Sequence, residues 1–239
     1  MKNYIYPLLI SLLSFTFFQC KGQTEKTSEH YTFQSGSFDG TGKFYKGREI
    51  SHVMGYQGIR WLERPERQKE ENTSRLIKNL DILPGDTIAD IGAGSGYHVF
   101  KMAPLANKGL VYAVDIQPEM LQAIREQKKK SGLDNIEIVM GSEKSVNLPK
   151  NSVDKILMVD VYHEFSYPVE MLESMHKALR EDGQIYLIEY RGEDASIPIK
   201  KLHKMTEAQA VEEFKANGFK LKENISNLPW QHCMVFVKE

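Results

Sequence analysis

From Pro84 to the C-terminus, short apolar runs alternate with amphipathic stretches of helix length, and no other feature constrains the fold as strongly. The apolar runs predict strands at 87–91, 110–114, 135–139, 153–159, 184–190, 219–225 and 232–237. The stretches between them predict helices at 96–106, 117–131, 168–180 and 206–217. Such alternation produces a parallel sheet with helices on both faces. The sequence therefore predicts a doubly wound α/β domain over residues 84–239, built on a mostly parallel seven-stranded sheet.

The connection between the last two predicted strands is short. Only Asn227, Leu228, Pro229 and Trp230 separate the end of one strand from the approach to the next. A parallel crossover requires a dozen or more residues, whereas antiparallel strands can be joined by a tight turn. We therefore predict that the last strand runs antiparallel to its neighbour.

The chain begins with a segment typical of export signals. Lys2 precedes an apolar block at 5–18, and Cys20 follows that block. The block is too short to cross a bilayer comfortably, and residues 1–20 resemble a bacterial lipoprotein signal whose cleavage leaves Cys20 lipidated. The predicted location is the cell envelope, with the protein lipid-anchored through Cys20 or periplasmic. A plain signal, an uncleaved anchor and a cytoplasmic protein with an apolar start are the alternatives.

Two segments lie between this signal and the α/β domain. Residues 21–45 are rich in Gly, Ser, Thr and charge without apolar periodicity, which predicts a flexible linker. Residues 46–83 are predicted to form an N-terminal helical cap. Within them, 67–80 contains no Gly or Pro and places Leu76, Ile77 and Leu80 on one face.

Charge and cysteine content restrict the partners. The net charge of −1 gives no electrostatic reason to expect nucleic acid. If Cys20 is lipidated, Cys233 is the remaining cysteine, so no intramolecular disulfide and no thiolate metal cluster can form. We expect a small-molecule substrate and a monomer or weak homodimer.

A glycine-rich turn follows the first predicted strand of the domain. Gly92, Gly94 and Gly96 leave a nearly bare backbone where the chain passes toward a helix, and free N–H groups there suit an anionic or nucleotide-like ligand. Asp115 ends the second strand about 20 residues later, where a carboxylate accepts the hydroxyls of a ribose. A helix N-cap is the alternative role for Asp115. The pair indicates a nucleoside-containing ligand.

These residues resemble the class I methyltransferases that use S-adenosylmethionine. The resemblance covers about 81–238: DIGAGSG (90–96) is similar to the first motif and YAVDI (112–116) to the second, while VDKILMVD (153–160) and LREDGQIYLIE (179–189) are similar to the fourth and fifth strands. It implies a Rossmann-like fold, S-adenosylmethionine as cofactor, and methyl transfer as the reaction.

The same resemblance implies roles for the cofactor residues. Gly92, Gly94 and Gly96 would flank the methionine part, Asp115 would hold the ribose, and Ile116 would pack on the adenine. GlySerGlu at 141–143 replaces the commoner GlyAsp beside the adenine. The complete predicted cofactor set is Asp90, Gly92, Gly94, Gly96, Tyr97, Asp115, Ile116, Ser142, Glu143 and Asp160.

Two other classes of protein share part of this pattern. An NAD-dependent oxidoreductase would share the fold and Asp115, but its usual loop is G-x-G-x-x-G, and here no glycine follows Tyr97 and His98. The antiparallel terminal hairpin also favours a methyltransferase. A non-catalytic envelope lipoprotein that binds a nucleoside-like ligand is the third alternative.

The fourth strand runs into the cluster DVYHEF at 160–165, which lies beside the expected position of the transferred methyl group. His163 is the predicted general base, because its titration range suits proton removal near neutral pH, although a structural hydrogen bond is an equal alternative. Asp160 is predicted to orient the cofactor or the acceptor, and Tyr162 to wall the pocket.

Further polar residues follow the fifth strand and lie in the cap. Glu189 and Arg191 flank the same crevice and either grip the acceptor or form a surface ion pair. Four residues, His163, Glu164, Glu189 and His203, could assemble a metal site, but nothing in their spacing requires it, and we predict no metal. Cap residues that either face the substrate or lie on solvated helix faces are Arg48, His52, Tyr56, Arg60, Trp61, Arg64 and Arg67.

Overall fold

The computed structural model describes Met1 and residues 30–239. The predicted signal at 1–20 therefore lies outside the described residues except for Met1, as does 21–29 of the predicted linker. The remaining chain forms a three-stranded sheet and a seven-stranded sheet, with helices. In the part of the chain that the structure describes, no helix has the length and apolar character needed to span a bilayer.

The seven-stranded sheet contains every strand predicted for the α/β domain. Its strands are β4 (Thr87–Ile91), β5 (Leu110–Asp115), β6 (Ile136–Met140), β7 (Val153–Val159), β8 (Leu179–Tyr190), β9 (Phe219–Asn224) and β10 (Gln231–Lys238). The order is β6-β5-β4-β7-β8-β10-β9. Pairs among β4 to β8 are parallel, whereas β10 is antiparallel to both β8 and β9. The predicted sheet and its antiparallel last strand are confirmed.

Helices cover both faces of this sheet. The helices of the described residues are α1 (Ile59–Leu62), α2 (Arg67–Glu70), α3 (Thr73–Asn79), α4 (Val99–Met102), α5 (Pro118–Ser131), α6 (Pro168–Ala178) and α7 (Glu207–Lys215). Met171 of α6 and Phe214 of α7 pack in the core on one face. Leu76 of α3 and Leu121 of α5 pack in the core on the other. The arrangement is the doubly wound layer structure that the alternating pattern predicts.

The segment before the domain differs from its prediction. Residues 31–45, predicted as part of a flexible linker, form β1 (Tyr31–Phe33) and β2 (Gly40–Tyr45), which pair antiparallel, and β3 (Arg48–Ser51) completes the small sheet. Lys46 and Gly47 join β2 to β3, and both have positive φ (46° and 81°). Two residues with positive φ give the turn that matches the twist of a hairpin. The hairpin explains why this polar, glycine-rich segment forms regular structure.

The predicted helix at 67–80 is interrupted. Asn72 adopts a left-handed conformation, with φ of 54°, and its side chain accepts a hydrogen bond from the Arg75 backbone N–H at the start of α3. An asparagine tolerates this conformation and is a preferred N-cap, so the chain turns between α2 and α3. Residues 46–83 are therefore a strand followed by three short helices, not a purely helical cap.

Candidate functional site

Two adjoining cavities lie at the carboxyl edge of the parallel strands. The glycine-loop cavity is lined by residues that follow β4, β5 and β7, among them Gly92, Asp115 and Asp160. The cap cavity is lined by residues of α1, α2 and the 160s and 190s loops, among them Trp61 and His163. Residues common to both linings are Met54, Leu62, Val159, Asp160 and Glu164. A ligand in one cavity therefore borders a ligand in the other.

The turn after β4 leaves space that side chains would fill. Gly92 has a φ of 73°, and a Cβ there would overlap the Val161 side chain. Gly94 has a φ of 54°, and a Cβ there would lie 2.7 Å from Leu62 Cδ1. Glycine avoids both the steric cost of left-handed backbone and these overlaps. The two glycines thus keep the floor of the cavity open.

Gly96 has a different role from its two neighbours. A Cβ at Gly96 would meet Phe100 and Ile124, which are packing residues, and Gly96 does not line the cavity. Tyr97 also lies outside the lining, with the Arg67 guanidinium 4.6 Å from its ring centroid. The structure therefore places these two predicted cofactor residues behind the loop.

Asp115 is held at the end of β5 with its carboxylate toward the glycine turn. It is 6% exposed, and it accepts hydrogen bonds from the backbone N–H groups of Gly94 and Gln117, each at 2.9 Å. Burial raises the pKa of Asp115, while these backbone donors act to lower it. Two N–H donors leave further lone pairs on the carboxylate, which line the cavity and can accept the two hydroxyls of a ribose.

The residues predicted to contact the adenine line the glycine-loop cavity. Ile116, 39% exposed, lines the cavity with Ser142 and Glu143, which follow β6. Gln117 also lines it, and its side-chain amide donates to the Met54 carbonyl at 3.0 Å. Sequence reasoning missed Gln117, although its position two residues after Asp115 places it at the same strand end.

Asp160 borders both cavities and has an unusual backbone. Its φ is 50°, and its Oδ2 accepts a hydrogen bond from Gln231 Nε2 at 2.7 Å. Its Oδ1 is buried and lacks a hydrogen-bond partner among the described residues. Burial raises its pKa well above the ordinary value, and the nearby Glu71 and Glu189 add to that shift. A strained residue with an unpartnered buried oxygen is typical of a ligand contact.

His163 is the centre of a second polar group. Its Nδ1 lies 2.6 Å from Glu189 Oε2, and its Nε2 lies 3.2 Å from His203 Nδ1. Burial lowers the pKa of His163, but the neighbouring carboxylates of Glu189 and Glu164 outweigh this, and the net pKa is raised. For His203, burial and the charge of His163 lower the pKa to about 4. His163, Glu164 and His203 all line the cap cavity.

Other residues named from the sequence lie elsewhere. Tyr162 is fully buried and donates to Glu213 Oε2 at 2.9 Å, and it lines neither of these two cavities. Arg191 donates to backbone carbonyls of the turn before β10, including Leu228 at 3.1 Å, so it braces the hairpin. Glu213 also binds Arg48, with 2.7 Å between Arg48 Nε and Glu213 Oε1.

The cap supplies three of the predicted substrate-facing residues. Trp61, Arg64 and Arg67 line the cap cavity, and the Arg64 guanidinium lies 3.6 Å from the Trp61 ring centroid. Trp61 is 46% exposed, so it is not a core residue. Ser95 of the glycine turn hydrogen-bonds to Glu63, which joins the cap to the turn.

Asp90 lies beneath the turn, and the burial of its carboxyl group predicts a pH-dependent contribution to stability. It is 2% exposed, does not line the cavity, and has no hydrogen-bond partner for Oδ2 in the described chain. Burial raises its pKa from 3.8 to about 7. Between pH 3.8 and about 7 the Asp90 carboxyl is protonated in the folded state and ionised in the unfolded state. The stability that the neutral carboxyl provides is therefore fully present below about pH 4 and is lost as the pH rises to about 7.

Replacing Asp90 with asparagine is expected to remove this dependence. As the pH rises from 4 to 7, the free energy of unfolding of the wild type should fall relative to Asp90→Asn, by up to about 1.4 kcal/mol per pH unit. Urea unfolding of the cofactor-free protein at several pH values measures this difference. The exposed Asp134→Asn is the control, and a pH-independent difference between Asp90→Asn and wild type would contradict the assignment.

The fold and the glycine-loop cavity are those of a class I methyltransferase. A solved S-adenosylmethionine-dependent methyltransferase from Aquifex aeolicus superimposes with a TM-score of 0.72 at 24% identity, over 77% of this chain and 98% of that one. The model of the family described as "Methyltransferase domain" matches residues 82–234. The chain belongs to this family, and the oxidoreductase alternative is set aside.

Curated relatives agree on the class. A tRNA U34 carboxymethyltransferase from Desulfotalea psychrophila is 29% identical over 122 residues, which are 51% of this chain and 38% of that protein. A protein-L-isoaspartate O-methyltransferase from Pyrococcus horikoshii is 27% identical over 131 residues, or 52% of this chain and 59% of that protein. The matched region thus covers less than two thirds of the length of either relative.

S-adenosylmethionine is the cofactor, and the residues present fit it. A Cβ at Gly92 or Gly94 would displace Val161 or Leu62, both of which line the cavity. Asp115 offers carboxylate lone pairs for the ribose, and Ile116 offers an exposed apolar side chain for the adenine. The unpartnered oxygen of Asp160 lies at the end of the cavity that adjoins the cap cavity.

Proposed function

We propose that this protein transfers a methyl group from S-adenosylmethionine to a small-molecule acceptor bound in the cap cavity. The observation that carries this proposal is that the cap cavity adjoins the cofactor cavity along Asp160 and Glu164. The cap cavity holds about 380 Å³, a volume within the range of small-molecule sites. The bound cofactor supplies a methyl group on a positively charged sulfur.

The chain's own residues position and activate the acceptor. Direct displacement requires an attacking atom about 3 Å from the methyl carbon and in line with it, so positioning is a large part of catalysis. Trp61 and Tyr190 give the cap cavity aromatic walls, whereas Arg64 and Lys200, which also line it, are ion-paired with Glu71 and Asp39. The aromatic walls favour an aromatic acceptor. The residues placed to bind the acceptor's ionisable group or to exchange a proton with it are His163, Glu164 and His203.

Calorimetry and a turnover assay test this function. The full-length protein is expected to bind one equivalent of S-adenosylhomocysteine and no NAD⁺, because Asp115 and the glycine turn fit the nucleoside while the loop lacks the later glycine of NAD-binding proteins. Methyl transfer from S-adenosylmethionine is then followed by mass spectrometry on a panel of phenols, thiols and carboxylic acids. Absence of S-adenosylhomocysteine binding would overturn the proposal, and binding without methyl transfer to any acceptor would favour the non-catalytic alternative.

A further inference from the structure

Three side chains that can bind a metal converge at the boundary of the two cavities. His163 Nε2 lies 3.2 Å from His203 Nδ1, although the two residues are 40 apart in sequence. Glu164 Oε1 lies 3.8 Å from His163 Nε2 and 3.9 Å from His203 Nδ1. The three atoms lie within 4.8 Å of one another. We call this group the His₂Glu cluster.

The spacing of the two nitrogens matches a tetrahedral metal site. Zinc lies about 2.0 to 2.1 Å from histidine nitrogens, so two such ligands at a tetrahedral angle are about 3.4 Å apart. The observed 3.2 Å between His163 Nε2 and His203 Nδ1 is close to that value. The Glu164 oxygen lies a few tenths of an ångström farther out, a distance that rotation of its side chain can close.

Glu189 fixes the direction of the His163 ring. Its Oε2 lies 2.6 Å from His163 Nδ1, its Oε1 accepts from the His163 backbone N–H at 3.3 Å, and it is fully buried. A carboxylate on Nδ1 leaves Nε2 as the metal-binding nitrogen and orients the ring, as is usual for histidines that bind metals. Arg48 and Ser51 hold the His163 carbonyl, at 3.1 and 3.4 Å, so the backbone is also fixed.

A simple hydrogen bond between the two rings would explain their distance but not the rest of the arrangement. It would not account for the position of Glu164 Oε1, which accepts a hydrogen bond from the Met54 backbone N–H at 3.1 Å and lies 3.8 and 3.9 Å from the two ring nitrogens. It would also not require the cluster to open on a cavity, yet all three residues line the cap cavity. An ion therefore has a path to the cluster and an open position on the cavity side.

We propose that His163, Glu164 and His203 bind one divalent transition-metal ion of the zinc class. Two imidazoles and one carboxylate with a fourth position open are the ligands of catalytic zinc sites. Magnesium and calcium prefer oxygen ligands alone, so the two histidines select against them. From the sequence, these three residues and Glu189 were possible metal ligands, but no metal was predicted because their spacing did not require one; the fold brings His203 to 3.2 Å from His163.

The position of the ion defines the acceptor further, a step that rests on the proposed function. Glu164 also lines the glycine-loop cavity, so the cluster lies where the cap cavity meets the cofactor cavity. A metal lowers the pKa of a hydroxyl or thiol that binds to it and fixes its orientation. The acceptor class that fits is a small molecule with an oxygen or sulfur donor that ionises on the metal.

Metal titration tests the site independently of turnover. The full-length protein, stripped with a chelator and dialysed, is titrated with Zn²⁺ alone by calorimetry, and Co²⁺ is added in parallel to record visible absorption. One equivalent of Zn²⁺ is expected to bind to the wild type, and His203→Ala is expected to weaken this affinity at least tenfold and to alter the Co²⁺ spectrum. His176→Ala, which removes a histidine on α6 away from both cavities, is the matched control and should bind like the wild type.

The outcomes separate this site from the methyltransferase function. S-adenosylhomocysteine binding by His203→Ala reports that the variant is folded. Wild-type protein that binds S-adenosylhomocysteine but no stoichiometric Zn²⁺, or a His203→Ala variant that binds Zn²⁺ as tightly as the wild type, overturns the metal site alone. Zn²⁺ binding that depends on His203 without any S-adenosylhomocysteine binding supports the metal site and overturns the proposed function.

Discussion

Replacing Asp115 with alanine is expected to weaken S-adenosylhomocysteine binding by about 100-fold. The Asp115 carboxylate is the group in the glycine-loop cavity placed to accept both ribose hydroxyls, and hydrogen bonds to a charged group contribute about 1.5 to 3 kcal/mol each. A total loss of about 3 kcal/mol corresponds to about 100-fold in affinity. The variant also loses the hydrogen bonds that Asp115 accepts from the Gly94 and Gln117 backbone, which loosens the turn. Calorimetric titration with S-adenosylhomocysteine measures the effect.

The control for this prediction is a surface aspartate. Asp134 is exposed just before β6 and lines neither cavity, so Asp134→Ala should bind S-adenosylhomocysteine like the wild type. Circular dichroism of Asp115→Ala separates a loss of binding from a loss of folding. A folded Asp115→Ala protein with wild-type affinity would show that the carboxylate does not hold the ribose.

Replacing Gly92 with alanine is expected to lower both stability and cofactor affinity. At a φ of 73° an alanine costs about 1 to 2 kcal/mol, and the added Cβ overlaps Val161, an overpacking that typically costs about 1 to 3 kcal/mol. We expect a total loss of about 2 to 5 kcal/mol in the free energy of unfolding, measured by urea titration. Because the displaced atoms border the glycine-loop cavity, S-adenosylhomocysteine affinity should also fall at least tenfold.

Gly132 provides a matched comparison for Gly92. It has a similar φ of 68° at the end of α5, but a Cβ there would meet nothing within 4 Å. Gly132→Ala should therefore show only the backbone cost of about 1 to 2 kcal/mol and keep its affinity for S-adenosylhomocysteine. If the two variants lose equal stability and both bind normally, the contact between Gly92 and Val161 does not shape the cavity.

The regular part of the fold could be predicted because its signals are local. Most strands of the main sheet contain a short apolar run, and the brief connection at 227–230 was enough to predict the antiparallel β10. The N-terminal region could not be predicted in the same way. Lys46 and Gly47 set the hairpin of β2 and β3, and Asn72 interrupts a continuous helical pattern, so single residues with positive φ outweighed composition and periodicity there.

The residues of the candidate site also differ in how well the sequence predicted them. Gly92, Gly94, Asp115, Ile116, Ser142 and Glu143, all predicted from the sequence, line the glycine-loop cavity. Asp90, Gly96 and Tyr97 belong to the same segment but lie outside that lining, because the pattern of residues does not show which side of a turn faces the ligand. The lipoprotein signal at 1–20 remains a prediction.

The sequence by itself determined the sheet, the edge at which the cofactor binds and the class of the protein. These depend on strand ends and a glycine turn, whose residues are close together along the chain and act through backbone geometry. Only the tertiary structure decided the cap cavity and the His₂Glu cluster. Trp61, His163 and His203 come from separate parts of the chain, and the packing of the cap and the loops over the sheet edge brings them together.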